Sequence, residues 1–378
     1  MSLLKGFEVE MYTGTPQGVA VGLSRRIVTD LKDFVREPDQ RNVEYVTPPL
    51  RSYQDLLCAL VKPRRQLREY LKTLGNYTIL PGSTLALSGS DHFERSAPEN
   101  PYHDLIEKHY GTRVVTTSIH INFGLDTPEL ILKALRLMRL EAPLVLALSA
   151  SSPFFDGQVT GYHSTRWGLF PQTPAWVPLF TSHQHYCSWV EEQLKLGTMW
   201  NERHLWTSVR PNGNHRPYDI NRVELRISDL VSDPSLLLGI TVLLEQRLLD
   251  LVAGRIPDPL TASKFTPDEL VSLTYENEKA ASRNSIDAQL IHWQTGETLT
   301  VREWVSRWVD DSLASSQLPG TACYVEKVSH LLQQGNEATR WLGQYQLGLP
   351  IETIMQMAIT DMEEQEEQLL TQECLEHH

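Results

Sequence analysis

Several patterns that would assign a function quickly are absent from this chain. It contains no Gly-x-x-x-x-Gly-Lys-Ser/Thr phosphate loop, no Gly-x-Gly-x-x-Gly opening a helix and no Gly-x-Ser-x-Gly nucleophile elbow. These absences argue against a P-loop enzyme, a Rossmann-type dinucleotide site and a serine hydrolase. If a nucleotide binds, metal ions and arginines on a sheet must therefore hold its phosphates.

Cysteine is scarce and scattered. The four residues are Cys58, Cys187, Cys323 and Cys374, and none belongs to a Cys-x-x-Cys pair. The chain also shows no signal-peptide pattern. We therefore expect reduced thiols in a cytoplasmic protein, with no structural zinc site and no support for a disulfide.

Long apolar runs and excess positive charge are also missing. No apolar run reaches the ~20 residues that span a bilayer, and the longest, near residues 142–150, is interrupted by Pro143. The formal net charge is −13. These features predict no membrane partner and no nucleic-acid partner.

After Pro234 the residue pattern changes to helical spacing with little strand signal. We predict an α+β, sheet-bearing catalytic part over residues 1–255 and a helical part over residues 256–374, packed on the same unit. Residues 375–378 resemble the remnant of an expression tag. Strands are predicted at residues 6–12, 42–49, 205–211 and 221–229.

Proline marks the expected ends of two helices. The helix over residues 54–74 should break or kink at Pro63. A second helix begins after the N-cap Thr127, with Pro128 in its first turn, and should run to about Glu141. There Pro143 should end it or begin another helix.

Four short segments combine an apolar strand face with a polar one. Side chains alternate between the faces of a strand, so Glu8 and Glu10 share one face while Phe7 and Val9 share the other. The same alternation applies to three further segments, whose polar residues are Glu44, His120 with Asn122, and Glu224 with Arg226.

A sheet that gathers these faces would concentrate carboxylates that repel one another. Hard oxygen ligands on separate strands suit Mg²⁺ or Mn²⁺, and His120 could add a nitrogen ligand. A single strand glutamate is commonly exposed to solvent, and a single histidine commonly lies in a core. The recurrence on four strands favours a metal site.

Three arginines could serve such a site. Arg166, Arg210 and Arg226 have the guanidinium geometry that binds phosphates and carboxylates through paired hydrogen bonds. The alternative for each is an ordinary ion pair. Arg226, which shares a strand face with Glu224, could simply be its partner.

In order along the chain, these segments resemble the glutamate–cysteine ligase family of carboxylate–amine ligases. The resemblance rests on Phe-Glu-Val-Glu-Met, Val-Glu-Tyr-Val-Thr-Pro-Pro, Ser-Ile-His-Ile-Asn and Val-Glu-Leu-Arg-Ile-Ser-Asp, and on the block from Leu146 through Arg166. It covers roughly residues 5–255, and the length matches the short form found in cyanobacteria.

The resemblance implies a curved antiparallel sheet forming a funnel, similar to the catalytic domain of glutamine synthetase. It also implies ATP as co-substrate and two or three Mg²⁺ ions, with Mn²⁺ as the alternative metal. The reaction it implies joins the γ-carboxylate of glutamate to the amine of cysteine through γ-glutamyl phosphate. The product, γ-glutamylcysteine, serves glutathione synthesis.

The resemblance also assigns residues to roles. Arg226 and Arg210 would face the phosphates, while Arg166, Asn122 and Tyr162 would bind substrate. Asp39 stays open as an alternative to Glu37. The implied metal ligands are Glu8, Glu10, Glu37, Glu44, His120 and Glu224.

Two alternative functions and the role of the helical part stay open at this point. An ATP-dependent carboxylate–amine ligase with another amine acceptor would use identical metal and phosphate machinery. A catalytically silent binding protein could share the scaffold, although the retention of every acidic position and of His120 argues against it. The helical part could cap the funnel or mediate self-association into a homo-oligomer.

Overall fold

The central element is a seven-stranded antiparallel sheet. A computed structural model describes residues 2–315 and 317–374, so residues 375–378, predicted as a tag remnant, lie outside the described residues. The strands are Lys5–Gly14 (β1), Phe34–Arg36 (β2), Asn42–Val46 (β3), Thr78–Leu80 (β4), Ile119–Gly124 (β5), Phe154–Phe155 (β6), Gln158–Val159 (β7), Val209–Asn212 (β8), Arg222–Leu225 (β9), Gln289–Ile291 (β10) and Thr298–Thr300 (β11).

The order of the strands places the long first strand at the centre. The sheet runs β2-β3-β1-β5-β9-β8, and β4 pairs with the end of β1; β6–β7 and β10–β11 form separate two-stranded sheets. The predicted mixture of helices and an antiparallel sheet is therefore confirmed.

Thirteen α-helices accompany the sheet in the described part of the chain. They are Ser24–Asp30 (α1), Tyr53–Leu74 (α2), Pro101–Tyr110 (α3), Pro128–Ser149 (α4), Thr165–Leu169 (α5), His183–Leu196 (α6), Pro234–Val252 (α7), Pro259–Ala262 (α8), Pro267–Asn284 (α9), Val301–Ala314 (α10), Ala322–Gln334 (α11), Glu337–Gln346 (α12) and Ile351–Leu369 (α13). Short 3₁₀ turns lie at Glu202–His204 and Ser285–Asp287, and a π-helical turn at Leu370–Cys374 ends the described chain.

The alternation predicted for β1 is what separates core from site. Phe7, Val9 and Met11 are at most 1% exposed and belong to the main hydrophobic core. Glu8 and Glu10 point to the opposite face because successive side chains of a strand alternate. The strand thus buries one face and presents carboxylates on the other.

Helices from both predicted parts share one core. Helix α4 packs against α9, and α7 packs against α11 and α10. Buried residues on either side of residue 255, such as Leu243 and Val325, belong to the same cluster. Residues 256–374 are therefore packed on the sheet-bearing part. They also contain the β10–β11 hairpin, so the prediction of an all-helical segment was wrong there.

Neither internal proline ends its helix. Helix α2 continues through Pro63, and α4 continues through Pro143 to Ser149. A proline removes one backbone hydrogen bond and crowds the preceding turn. In α4 the residues on both sides of Pro143 are buried, and the apolar surface that they bury as a continuous helix outweighs that local cost. The predicted end at Pro143 was wrong for this reason, and of the break or kink predicted at Pro63 the break does not occur.

Two of the four cysteines are joined. Cys58 on α2 and Cys374 in the final π-helical turn form a disulfide with a Cα–Cα distance of 5.5 Å. The expectation of reduced thiols was wrong for this pair, because its members are 316 positions apart in sequence and only the packing of the C-terminal segment on α2 brings them together. Cys187 and Cys323 are free thiols, as expected.

Membrane-spanning helices are not found. Among the described residues, no helix is both long enough and apolar enough to cross a bilayer.

A buried ion pair fixes the start of the chain to α7. Lys5 Nζ lies 3.0 Å from Glu245 Oε2, and both side chains are fully buried. Tyr53 donates to the same oxygen at 2.7 Å. Burial lowers the pKa of Lys5, while Glu245 opposes that shift. The buried Lys5 ammonium group therefore depends on the Glu245 carboxylate to stay charged.

Replacing Glu245→Ala should lower the free energy of unfolding by about 3–5 kcal/mol, because it leaves the Lys5 ammonium group buried without its carboxylate. Guanidinium denaturation measures this change. The matched control is Glu276→Ala at an exposed position on α9, which should stay within about 0.5 kcal/mol of the parent. Equal stabilities for the two variants would contradict the role of the pair.

Candidate active site

Strand pairing sets the positions of the acidic residues. Across β1 and β5, Glu8 pairs with His120; across β1 and β3, Glu10 pairs with Glu44. On the other side of β5, Asn122 pairs with Glu224 of β9. Directly opposed residues share a sheet face with Cβ atoms about 4.5–5.5 Å apart. The register therefore collects on one face the residues that the sequence distributes over more than 200 positions.

The first cluster, here called the histidine group, consists of Glu8, His120 and Glu224. One ligand-type atom from each lies within 4.8 Å of the others. His120 Nδ1 lies 2.8 Å from Glu8 Oε2 and 3.5 Å from Glu224 Oε1. Two carboxylates and an imidazole at this spacing form a donor set that a divalent cation accepts.

The second cluster, here called the triple-glutamate group, consists of Glu10, Glu37 and Glu44. Its ligand-type oxygens also lie within 4.8 Å of one another. Ser118 donates to Glu10 Oε2 at 2.8 Å, and His120 Nε2 lies 3.7 Å from Glu10 Oε1. The imidazole of the histidine group therefore borders the triple-glutamate group as well. The three oxygen donors of the triple-glutamate group suit a hard cation such as Mg²⁺.

Asp39 does not belong to the triple-glutamate group. Both of its carboxylate oxygens accept hydrogen bonds from Arg41, at 2.8 and 2.7 Å, and Oδ2 also accepts from the backbone of Glu94 at 2.9 Å. Glu37, directly after β2, and not Asp39 therefore lies in the cluster, and its role as a ligand stays a prediction.

The triple-glutamate group carries more negative charge than its surroundings balance. Burial and the charges of Glu10 and Glu8 raise the pKa of Glu44 to about 8. Burial, followed by the charges of Glu10 and Glu44, raises the pKa of Glu37 well above its usual range. In the absence of a cation, the cluster relieves its repulsion by holding protons.

The histidine group has the opposite electrostatics. Burial alone would raise the pKa of Glu224, but Arg210 and Arg226 hold it well below its usual range. Burial likewise opposes ionisation of Glu8, and a hydrogen bond with His120 lowers the pKa of Glu8 in spite of it. The two carboxylates of this cluster therefore favour the ionised form before any metal binds.

The two predicted phosphate-facing arginines both contact Glu224. Arg210 Nε and Nη2 donate to its two carboxylate oxygens at 2.8 and 3.1 Å, and Arg226 Nη1 donates at 2.7 Å. Asn212 donates to the same carboxylate at 2.6 Å. The alternative reading of Arg226 as a partner of Glu224 is thus confirmed, and its phosphate role stays a prediction.

Arg226 nevertheless keeps free donor capacity. Its Nε is buried and has no hydrogen-bond partner among the described residues, and its side chain lines the large cavity next to Glu10. Buried donors are seldom left unpaired, so this atom indicates that an anionic group belongs in the cavity.

The substitution Glu224→Gln should lower the free energy of unfolding by about 3–5 kcal/mol, because it leaves two buried guanidinium groups with a neutral partner. Chemical denaturation in EDTA measures the change. Glu10→Gln is the comparison, since it removes one charge from a repulsive cluster and should not lose stability. If both variants unfold like the parent, Glu224 is not the counter-ion described here.

The predicted substrate-binding residues lie in three different places. Arg166 lines the cavity, but it donates to the carbonyl oxygens of Ile227 and Arg226 at 3.1 and 2.9 Å. Asn122 donates to Glu8 at 3.2 Å. The ring of Tyr162 lies under the guanidinium of Arg283, and Tyr162 is not among the described residues that line the cavity.

These positions bear differently on the predicted roles. The structure brings Asn122 to the face with the candidate metal ligands and Arg166 to the cavity wall, where its Nε has no partner in the part of the chain that the structure describes. It does not bring Tyr162 to either. The substrate roles of all three residues stay predictions.

The large cavity has a volume of about 510 Å³ and opens directly onto the triple-glutamate group. Its walls include residues that sequence reasoning missed: Arg36, Tyr102, Arg203 and Trp206. Arg36 directly precedes Glu37 and could have been noticed for that reason. Tyr102 lies on α3 and Arg203 in the 3₁₀ turn Glu202–His204, while Trp206 lies in the predicted strand segment 205–211 but precedes β8, and no metal-ligand residue type marks any of them.

Comparisons with known proteins place this site in a family. A relative from Sorangium cellulosum, named a putative glutamate–cysteine ligase 2, is 31% identical over 60% of this chain and 58% of its own length. A relative of the same name from Gloeobacter violaceus is 25% identical over 65% of each chain. The matched regions thus span less than two thirds of these relatives.

Solved structures show the same fold at low sequence identity. A bifunctional glutathione synthetase from Pasteurella multocida superposes with a TM-score of 0.72 at 17% identity, covering 98% of this chain and 53% of that one. A glutamate–cysteine ligase from Francisella tularensis, solved with AMP, gives a TM-score of 0.66 at 11% identity over 98% of this chain and 93% of that one. The model of glutamate-cysteine ligase family 2 matches residues 4–374. Because that match extends over nearly the whole sequence, the chain belongs to glutamate-cysteine ligase family 2.

Proposed function

We propose that this protein is an ATP-dependent carboxylate–amine ligase that joins the γ-carboxylate of glutamate to the amine of cysteine. The observation that carries the proposal is the pair of ligand clusters on one sheet face, both within the electrostatic reach of Arg226. Family membership supports the reaction class. Glutamate, cysteine and ATP are the proposed substrates.

The donor chemistry fits divalent cations. The triple-glutamate group offers three hard oxygens whose protons a cation would displace, and the histidine group adds two carboxylates and a nitrogen. We propose that these six residues hold two or three Mg²⁺ ions, with Mn²⁺ as the alternative. Bound there, the ions would neutralise the charge of the phosphates of ATP.

The proposed reaction has two steps. An oxygen of the glutamate γ-carboxylate attacks the γ-phosphorus of ATP, the bond to the bridging oxygen breaks, and ADP leaves with γ-glutamyl phosphate remaining. The amine nitrogen of cysteine then attacks the acyl carbon, the carbon–oxygen bond to phosphate breaks, and the nitrogen loses a proton. The products are γ-glutamylcysteine, ADP and phosphate.

The chain's own residues supply position and charge rather than covalent chemistry. Arg226 lines the cavity, has a buried Nε without a partner among the described residues, and balances negative charge beside Glu10. Arg166 bonds the backbone carbonyl of Arg226 at 2.9 Å and thereby fixes the segment that carries it. Phosphoryl transfer depends mainly on such positioning and electrostatic stabilisation.

The finer architecture is also part of the proposal. The antiparallel sheet with helices on its apolar face would curve into a funnel like that of the glutamine synthetase catalytic domain, with ATP entering from one end. The large cavity beside the acidic clusters supports this arrangement, because it gives the substrates access to the metal-ligand face.

The test is ADP release from Mg-ATP and glutamate, with cysteine compared against a panel of other amines. Cysteine-dependent release that stops with EDTA supports the ligase and its metal together. ADP release with a different amine would support the same mechanism with that amine as the acceptor in place of cysteine. The Glu10→Gln protein, purified identically, reports any contaminating ATPase. If ATP binds but no amine supports ADP release, the result would favour the alternative of a catalytically silent binding protein.

A further inference from the structure

A second cavity, of about 250 Å³, lies among the C-terminal helices. It is bounded by α11, α12 and α13 and by the segment that leads into α7. It shares no lining residue with the large cavity, and the proposed ligase reaction makes no use of it. Ligand binding in this second cavity is therefore separate from the proposed ligase reaction.

An unpaired buried amide oxygen belongs to the lining of this second cavity. Gln344 Oε1 is buried and has no hydrogen-bond partner among the described residues. Ser232, which is 4% exposed, also lines the cavity, and its hydroxyl favours the charged form of Glu337 by hydrogen bonding, against the burial that raises the pKa of that carboxyl. An unsatisfied buried polar atom costs about 1–3 kcal/mol. The Gln344 oxygen therefore indicates an occupant that can donate a hydrogen bond.

Basic and acidic side chains both line the cavity. Lys327, His330 and Arg340 supply cationic or ionisable nitrogen, and none of them forms an ion pair within residues 2–315 and 317–374. The acidic residues of the lining are Asp233, Glu337 and Asp361. A polyphosphate would meet the three carboxylates, and a bare divalent cation would meet the three basic side chains. The lining favours a ligand that itself carries both charges.

The remaining wall is apolar. Leu331, Trp341 and Met362 line the cavity and are at most 6% exposed. The volume is below the ~300–1,000 Å³ of pockets for drug-sized ligands, which sets an upper limit on the size of the occupant. Small size, paired charges and an apolar wall together describe an amino acid or a dipeptide.

We propose that this second cavity is a binding site for a zwitterionic ligand, either a free amino acid or a dipeptide. The ligand carboxylate lies toward Arg340 and Lys327, and its ammonium group lies toward the acidic side chains. Its donors satisfy Gln344 Oε1, and its apolar portion packs on Trp341. The site takes up ligand without contributing a residue to the ligase centre.

The test is calorimetric titration of the full chain, without ATP or divalent ions, against the twenty common L-amino acids and a set of α- and γ-linked dipeptides. At least one ligand should bind with a Kd that Arg340→Gln raises by roughly tenfold or more, the effect of losing one charge-assisted hydrogen bond. Arg340 is exposed, so this variant should fold. The control Lys133→Gln, at an exposed lysine on α4, should leave that Kd unchanged.

Binding at the ligase centre is separated by a second readout. A ligand in the second cavity should slow hydrogen exchange of amides in residues 327–344, and Arg340→Gln should abolish that protection. A ligand of the ligase centre keeps its Kd in Arg340→Gln. If every ligand behaves in that way, or if none binds, the cavity holds only water and the proposal is overturned.

Discussion

Glu10→Gln should reduce ATP turnover by on the order of 10³-fold without reducing stability in EDTA. Glu10 is the member of the triple-glutamate group that also lies near His120 of the histidine group. The substitution removes a charged ligand at the point where phosphate charge must be neutralised. It also removes repulsion, because Glu10 contributes to the raised pKa values of both Glu37 and Glu44.

The two readouts together distinguish a site residue from a structural one. A residue needed only for folding would lose activity and stability in parallel, whereas Glu10→Gln should lose activity alone. Steady-state ADP release and guanidinium denaturation measure the two effects. Glu276→Gln, at an exposed position on α9, is the matched control and should change neither. Wild-type turnover in Glu10→Gln would remove Glu10 from the metal site.

In the absence of divalent ions, the protein should become less stable as the pH rises from about 5 to 8. Glu44 has a pKa of about 8 in the folded chain against an ordinary value of 4.5. Between these values the folded state holds a proton that the unfolded state has released, so a rise in pH favours unfolding. The pKa of Glu37 is raised for the same reasons and adds to the effect.

Mg²⁺ should remove this loss of stability. The ion binds the deprotonated carboxylates, so its apparent affinity should rise about tenfold per pH unit for each proton displaced below the pKa. At a hundredfold excess over its Kd, one bound ion would add about 2.7 kcal/mol to the stability. Thermal denaturation with and without Mg²⁺, at constant ionic strength between pH 5 and 8.5, measures both trends.

The variant Glu44→Gln isolates the origin of this pH dependence. Its neutral side chain cannot release a proton, so the fall in stability between pH 5 and 8 should become shallower, and the gain from Mg²⁺ should shrink. Glu276→Gln should reproduce the parent at every pH. A stabilisation by Mg²⁺ that does not vary with pH would contradict the protonated state assigned to the triple-glutamate group.

Local patterns in the sequence were sufficient for much of the site. The alternation of Glu8 and Glu10 with buried residues, and of His120 and Asn122 likewise, predicted strands with one polar face. All six predicted ligands lie in the two clusters, although whether they bind metal stays a prediction. Helix α9 begins at Pro267, where a capping box and a proline in the first turn are local signals for a helix start.

Local patterns misled where burial outweighs propensity. Pro143 lies inside α4 because the flanking residues are buried along the whole helix. The predicted strand over residues 221–229 ends at Leu225, and the following segment instead accepts hydrogen bonds from Arg166. Neither outcome depends on residues near in sequence, so periodicity could not reveal them.

The sequence by itself determined which residues are candidates for the chemistry, because strand alternation and residue type are local properties that a few neighbouring positions define. Only the tertiary structure decided how those residues are paired. In the folded chain Cys58 forms a disulfide with Cys374, and Glu224 accepts hydrogen bonds from Arg210 and Arg226. Asp39 is paired with Arg41 and does not join the acidic cluster. These outcomes depend on strand register and helix packing, where the favourable contact energy comes from burying surfaces that are distant in the chain.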